Sequence, residues 1–372
     1  MKKLFLFTIY LLISLMGLAS CDKLSRDISI NLSADVKPHI VVNGFVCADK
    51  PSELSISKTI AINEPYGNGL DNAEIFGIKE AVVRAYVNGG QVEEKIVHFK
   101  PAPGMEHPVH AQKGVLKYSS DFRPKPGDAV RFEISSPELD PVTVNLKLPL
   151  GVRSLDVRSE TVKGVPGAFG QSDSRYRHAH MLKMIVSFEK PRGGVDEPIL
   201  VGYYSIGKSL NSEDIGRKGE YLRAKLRIAD DPVFDTEVIK LNRHFNRMRI
   251  GVEDDLRFPY FHTSVIKSDR YELNLSGDLN DSSIESDDGN VFIYYDYGIL
   301  LVLRSVDPFY YEWAQTKYGL KIETEDDDFS IMDEDGVISE QKTTLSNVEG
   351  GRGFVLGYTD VIYEISRDVP EF

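Results

Sequence analysis

Cysteine is nearly absent from this chain: among 372 residues there are two, Cys21 and Cys47. Tryptophan occurs once, at Trp313. Basic residues run short, 44 against 57 acidic ones, which leaves a formal net charge of −13. That balance excludes nucleic acid as a partner, because phosphate binding needs a basic face. It equally excludes electrostatic adhesion to anionic lipid. Long apolar runs are missing after the first twenty residues, so no later segment reads as a membrane-spanning helix. Hydrolase signatures are missing too: neither a Gly-x-Ser-x-Gly elbow nor a His-Glu-x-x-His run occurs.

What is present begins at the N-terminus. Lys2 and Lys3 precede an uncharged apolar stretch over 4–19, and small residues follow before Cys21. A basic start, a short apolar core and small residues before a cut describe a secretory signal over 1–20. Sixteen residues are marginal for crossing a bilayer. The ending Leu18-Ala19-Ser20-Cys21 resembles a bacterial lipobox, in which the cysteine is lipidated, for instance with palmitate, and becomes the mature N-terminus. The competing reading is a plain signal peptide with a chance cysteine. Each buried methylene of an acyl chain contributes about 0.8 kcal/mol, so a multiply acylated cysteine holds to a membrane without help from the fold. Loss of Lys2 and Lys3 takes the net charge to −15. Lipidation at Cys21 leaves Cys47 alone and excludes an internal disulfide. Within Val41-Val42-Asn43-Gly44-Phe45-Val46-Cys47 this second thiol reads as a small buried apolar residue.

Residues 21–34 read as a lipidated tether, which at about 3.3 Å per residue could span up to ~40 Å. Beyond it, runs rich in Val, Ile, Tyr and Phe recur between Gly, Pro, Asn and Asp, the signal of short strands. In the first half they fall at 39–46, 54–62, 81–87, 92–99, 115–118, 129–135 and 142–148. Asn88-Gly89-Gly90 predicts a hairpin turn, since such turns want positive φ. Pro124-Lys125-Pro126-Gly127-Asp128 predicts a second tight corner. Seven strands over 35–149 fit an immunoglobulin-like antiparallel sandwich. The pattern pauses at Leu148-Pro149-Leu150-Gly151, where a domain boundary is expected. From 150 to 372 a larger antiparallel β domain, sandwich or barrel, is expected, with strands at 181–189, 199–206, 221–228, 271–276, 291–306 and 354–365. The run 221–228 alternates cleanly, with Leu222, Ala224, Leu226 and Ile228 on one face. One main helix is expected near 308–320: Asp307 caps it, Pro308 takes its first position and Gly319 closes it. Phe309 and Trp313 would share one face, Tyr310 and Ala314 another.

Chemistry is sparse. Gly350-Gly351-Arg352-Gly353 lacks the Gly-Lys-Ser/Thr ending of a phosphate loop and is followed by strand, so it predicts a tight turn against the sheet. Asp326-Asp327-Asp328 and Asp333-Glu334-Asp335-Gly336 suggest calcium, yet aligning Gly336 with a calcium loop puts Ile331 first and Lys342 last. A solvated acidic loop is the reading, with an irregular calcium site as the alternative. Asp287-Asp288-Gly289 fails in the same way, led by Ile284. Histidines come in pairs, His107/His110 and His178/His180. An extended 178–180 puts His178 and His180 on one face at ligand spacing, but Arg175 and Arg177 would repel a cation. Metal is therefore not expected, and no cofactor is. Aromatic clusters supply weak candidates for a ligand-stacking surface, Tyr294 and Tyr295 in one group and Tyr310 and Trp313 in another; core packing is the commoner use of such residues.

Landmarks along the chain resemble a Bacteroidota family of exported lipoproteins known as domain of unknown function 4249. Val41-Val42-Asn43-Gly44 is similar to its opening strand, Gly114-Val115-Leu116-Lys117-Tyr118 to a mid-domain strand, and Pro126-Gly127-Asp128 to a glycine turn. Leu148-Pro149, Tyr203-Tyr204, Arg304-Ser305-Val306 with Tyr310-Tyr311, and the segment from Ser346 to Phe354 complete the resemblance. It implies an outer-membrane lipid anchor and an accessory role beside a TonB-dependent uptake receptor, and it carries no established activity; binding rather than catalysis is expected, with an uncharacterised hydrolase as the alternative. The alternative is a structural or adhesive envelope lipoprotein without a small ligand. Lys23 directly after Asp22 departs from the acidic pattern expected for surface export, so the cell surface and the periplasmic face both stay open.

Overall fold

The structure is a computed structural model that describes residues 37–59, 77–98, 115–137, 139–163, 180–209, 222–228, 231–236, 238–239, 259–279, 282–285, 291–318 and 345–368. The chain divides into two units, Met1–Pro38 with Ile60–Tyr66, and His39–Thr59 with Gly67–Phe372. The elements below belong to the second unit. Cys21, the tether, His107, His110, His178 and the acidic runs at 287–289 and 326–336 lie outside the described residues.

The protein is mainly β. In chain order the strands are β1 (Ile40–Cys47), β2 (Glu53–Lys58), β3 (Glu80–Val87), β4 (Gly90–His98), β5 (Leu116–Ser119), β6 (Ala129–Ser136), β7 (Leu139–Lys147), β8 (Arg153–Lys163) and β9 (His180–Glu189). They continue with β10 (Pro198–Ser209), β11 (Leu222–Arg223), β12 (Leu226–Arg227), β13 (Tyr260–His262), β14 (Arg270–Leu279), β15 (Ser282–Glu285) and β16 (Val291–Val306). Helix α1 (Pro308–Tyr318) follows, then β17 (Val348–Glu349) and β18 (Arg352–Ser366). All seven strands expected in the first half form, and so does the helix.

A nine-stranded sheet runs in the order β11-β10-β16-β18-β1-β2-β5, with β13 added on β10 and β15 on β16. A five-stranded sheet, β17-β7-β6-β3-β4, and a four-stranded sheet, β12-β14-β9-β8, complete the set. None of the three closes into a barrel. Pairings among the described strands are antiparallel except β1 with β18, which run parallel from Val41 opposite Arg352 to Cys47 opposite Tyr358.

Period-two patterning explains the first half. Ile40, Val42 and Val46 of β1, Ala81, Val83 and Ala85 of β3, and Val130, Phe132 and Ile134 of β6 turn inward and are almost fully buried. Together with Leu54, Ile56, Leu116, Val142, Val144 and Val355 they form one apolar core between the long and the five-stranded sheets. A second core lies between the long and the four-stranded sheets, built from Leu182, Met184, Val186, Phe188, Ile199, Val201, Tyr203, Leu273, Leu275, Ile299, Leu301 and Leu303. β10 and β16 read as continuous apolar runs because both faces are covered: Leu200 and Val306 pack on the opposite side, in a third cluster with Tyr310 and Trp313. β18 serves two cores along its length, Val355 in the first and Val361, Tyr363 and Ile365 against the second.

Turns form where the residues demand them. Asn88 and Gly89 sit at φ 51° and 84°, joining Val87 to Gly90, which face each other across β3 and β4. Gly353, at φ 106°, is where β18 approaches β1 so closely that any Cβ would run into the Val42 carbonyl.

One expectation about strands fails, and one strand was not foreseen. The run 221–228 is not one strand: Leu222 and Arg223 pair with β10 in the long sheet, whereas Leu226 and Arg227 pair with β14 in the four-stranded sheet. Leu226 and Ile228 still enter the second core. Alternation reports which side faces inward and not which sheet receives the strand. β8 escaped sequence reading because it is the charged edge of its sheet, with Arg153, Asp156, Arg158, Glu160 and Lys163 among its residues.

The crossover at Leu148–Gly151 is fastened to the fold. The Leu148 N–H donates to the Asp128 carbonyl at 2.9 Å. The Pro149 carbonyl accepts the Thr359 hydroxyl at 2.7 Å. Glu197, 4% exposed, takes the Leu150 N–H on Oε1 at 2.7 Å and the Gly151 N–H on Oε2 at 3.1 Å. Strands from both sides of this crossover share the long sheet.

Candidate functional site

The chemistry-bearing side chains gather on the outer face of the long sheet, where β16 ends and α1 begins. Arg304 points outward from β16 and meets Asp360 of β18, its neighbour across the ladder. Two parallel hydrogen bonds join them, Nε to Oδ1 at 2.8 Å and Nη2 to Oδ2 at 3.1 Å. The guanidinium also lies 4.0 Å from the centre of the Tyr358 ring, a cation–π contact. Lys50 reaches Asp360 more loosely at 3.7 Å. Burial works against the Arg304 charge, but Asp360 outweighs it and holds the guanidinium above its usual range. Burial also raises Tyr358 and the neighbouring Cys47 thiol. Cys47 is 3% exposed, as its apolar surroundings in the sequence led one to expect.

Three residues beyond Arg304, Asp307 caps α1. Its Oδ1 accepts the Tyr310 N–H at 2.9 Å and its Oδ2 the Gly357 N–H from β18. Behind the cap the aromatic residues interlock. Trp313 lies 4.4 Å from Phe354 and Tyr310 stands edge-on to Tyr358 at 6.4 Å. Tyr311 meets Tyr260 at 5.2 Å and His262 at 5.0 Å. Burial, with the hydrogen bond to Tyr260, raises the Tyr311 hydroxyl. His262 Nδ1 stands 3.3 Å from Asp196 Oδ2. Burial lifts the Asp196 carboxyl, but the Ser264 N–H, received at 2.8 Å, and its other partners prevail and leave it below the usual carboxylate range.

Of the expected ligand-stacking residues, Tyr310 and Trp313 do come together, but at 0% and 9% exposure they are core. Both turn inward, three residues apart on the helix. The expectation that they occupy different faces fails because α1 is aromatic on several sides, which leaves its periodicity ambiguous. Tyr294 and Tyr295 lie in β16, opposite Ser209 and Lys208 of β10; their side chains are outside the described set. His180 opens β9 and is buried, and its expected companion His178 is not described. Among the described residues no three His, Cys, Asp or Glu side chains converge as a metal site.

Sequence reading missed the Arg304–Asp360 pair and the anchoring carboxylates of Glu197 and Asp231, and it saw Asp307 only as a helix cap. Only the outward register of Arg304 and Asp360 within their strands could have flagged the pair, and their pairing across the sheet depends on topology. Elsewhere, a depression of ≈ 470 Å³ lies on the five-stranded sheet beside Tyr86, Arg131, Asn145 and Lys147. Arg131 covers the Tyr86 ring there at 4.2 Å and pairs with Glu133 at 2.8 Å.

What the arrangement does chemically is hold backbone. Glu197 and Asp307 spend their oxygens on main-chain N–H groups, Asp231 divides its own between the N–H groups of Val233 and Asn274 and the side chains of Tyr271 and Asn274, and Asp360 spends its own on Arg304. Comparison with curated proteins gives no match. A family model described as a domain of unknown function, DUF4249, matches residues 25–363. With nearly the whole chain covered by that match, the protein belongs to the DUF4249 family.

Proposed function

We propose that this protein is an exported, lipid-anchored binding or accessory protein of the bacterial outer membrane, working beside a TonB-dependent uptake receptor. The observation that carries the reading is the N-terminal passage from Lys2 and Lys3 through the apolar run to Leu18-Ala19-Ser20-Cys21. An acidic, mainly β chain behind a short leader suits anchoring by acyl chains and binding by surface rather than by charge. Glu197 and Asp307 are committed to backbone donors, Asp360 to Arg304 and Asp278 to Arg227, which supports a non-enzymatic reading. Receptor contacts would fall to the part beyond residue 150, with the strands before it as spacer or docking module.

Pull-down from gently solubilised outer membranes should recover a large β-barrel receptor; repeated recovery of none would remove the receptor from the proposal. Labelled palmitate should appear on the wild-type chain and vanish with Cys21→Ser, which should also leave the envelope fraction. The second reading, a structural or adhesive envelope lipoprotein, draws support from the burial of Tyr310 and Trp313.

A further inference from the structure

On the face of the five-stranded sheet turned away from the first core, Tyr86, Arg131 and Asn145 stand side by side, each opposite the next across β3, β6 and β7. In the adjoining row Lys147 stands opposite Ala129. Ala129 carries only a methyl group, and Gly89, in the hairpin turn beside it, has no side chain. The longer side chains around these two therefore wall a hollow of ≈ 470 Å³. Small-molecule sites commonly have this size.

Both charged residues lining the hollow, Arg131 and Lys147, are cationic, and none is acidic. Arg131 is fixed in place. Its guanidinium lies 4.2 Å from the centre of the Tyr86 ring and its Nη2 stands 2.8 Å from Glu133 Oε1. The Tyr86 hydroxyl donates to the other oxygen of Glu133 at 2.9 Å. Three groups brace one another, so this cation is ordered before any ligand arrives. Its Nε and Nη1, and the whole Lys147 ammonium, have no partner among the described residues. The nearest carboxylates beyond the hollow are already engaged. Asp128 accepts the Asn88 amide at 2.8 Å and the Lys125 N–H at 2.7 Å, and Glu349 accepts the Asn145 amide at 3.3 Å.

We propose that this hollow binds a small oxyanion-bearing molecule, its carboxylate or phosphate seated between Lys147 and Arg131 and its body over Ala129 and Gly89. With a net charge of −13 the chain as a whole repels anions, so attraction must come from this local pair. An oxyanion meets both cations through charge-assisted hydrogen bonds. Asn145 supplies a neutral amide beside them. The site does not depend on the lipid anchor.

Isothermal titration calorimetry on the full chain in non-ionic detergent micelles tests this at low ionic strength, with citrate and inorganic phosphate as separate probes. At least one should bind saturably with one-to-one stoichiometry, and sodium chloride should weaken it. Citrate alone would identify the bound group as a carboxylate, phosphate alone as a phosphate, and both as either oxyanion. Lys147→Met removes one charge-assisted hydrogen bond and should weaken binding about tenfold, as should Arg131→Met. Lys147 is exposed, so its variant keeps the fold even where Arg131→Met disturbs Tyr86 and Glu133. Lys125→Met, whose ammonium is spent on Asp49, should change nothing. Absence of saturable heat from both probes overturns the proposal. So does binding that Lys147→Met leaves undiminished, or that Lys125→Met weakens equally.

Discussion

Replacing Glu197 by alanine tests whether the crossover is part of the rigid frame. Glu197 sits 4% exposed with one hydrogen bond from Leu150, one from Gly151, and its own N–H on Thr263 Oγ1 at 2.8 Å. A hydrogen bond to a charged group contributes about 1.5–3 kcal/mol. Truncation leaves the N–H groups of 150 and 151 without an acceptor, the second of them buried, and it also removes the cost of burying the carboxylate. The net expected loss is about 3 kcal/mol. Glu197→Gln keeps one carbonyl acceptor and the shape, so it should lose roughly half as much. Thr359→Val removes only the bond to Pro149 and should cost about 1 kcal/mol. Urea unfolding followed by far-ultraviolet circular dichroism and by Trp313 emission measures all three. An alanine variant within about 1 kcal/mol of wild type would refute the reasoning, because the crossover would then be held by packing alone.

Other consequences follow from single contacts. Gly277→Ala should destabilise by about 1–3 kcal/mol in the same assay, because the new Cβ runs into the fully buried Tyr203 ring between the sheets. Arg304→Met strands Asp360, at 5% side-chain exposure, with only the looser Lys50 for company; about 3–5 kcal/mol should be lost, and Arg304→Lys should lose less. In a Cys21→Ser chain Cys47 is the sole thiol. Its raised pKa leaves less thiolate at any given pH, so iodoacetamide at pH 8 should label it only after denaturant is added, and rapid labelling of the native chain would contradict its burial.

Most strands were legible because their physics is local. Side chains alternate across a strand, so β1, β3, β6 and β7 announce themselves through Ile40/Val42, Val83/Ala85, Val130/Phe132 and Val142/Val144. The hairpin at Asn88-Gly89 and the cap-proline start of α1 are equally local, since each satisfies its own backbone. The functional surface was less legible. Tyr310 and Trp313 are rich in binding potential as residue types, and only the sheet packed beneath them shows that this potential is spent on the core.

Sequence alone determined the mainly β class, the position of the helix after β16, the tight turns and the inward register of most strands. Tertiary structure alone decided that β1 lies parallel to β18, over three hundred residues away, and that 222–227 divides between two sheets. It also decided that Arg304 meets Asp360 and that Asp307 and Glu197 pin backbone from distant segments. Periodicity records whether a side chain faces water or core. Which strand becomes its neighbour depends on closing long loops around shared apolar faces, and that free energy belongs to the whole chain.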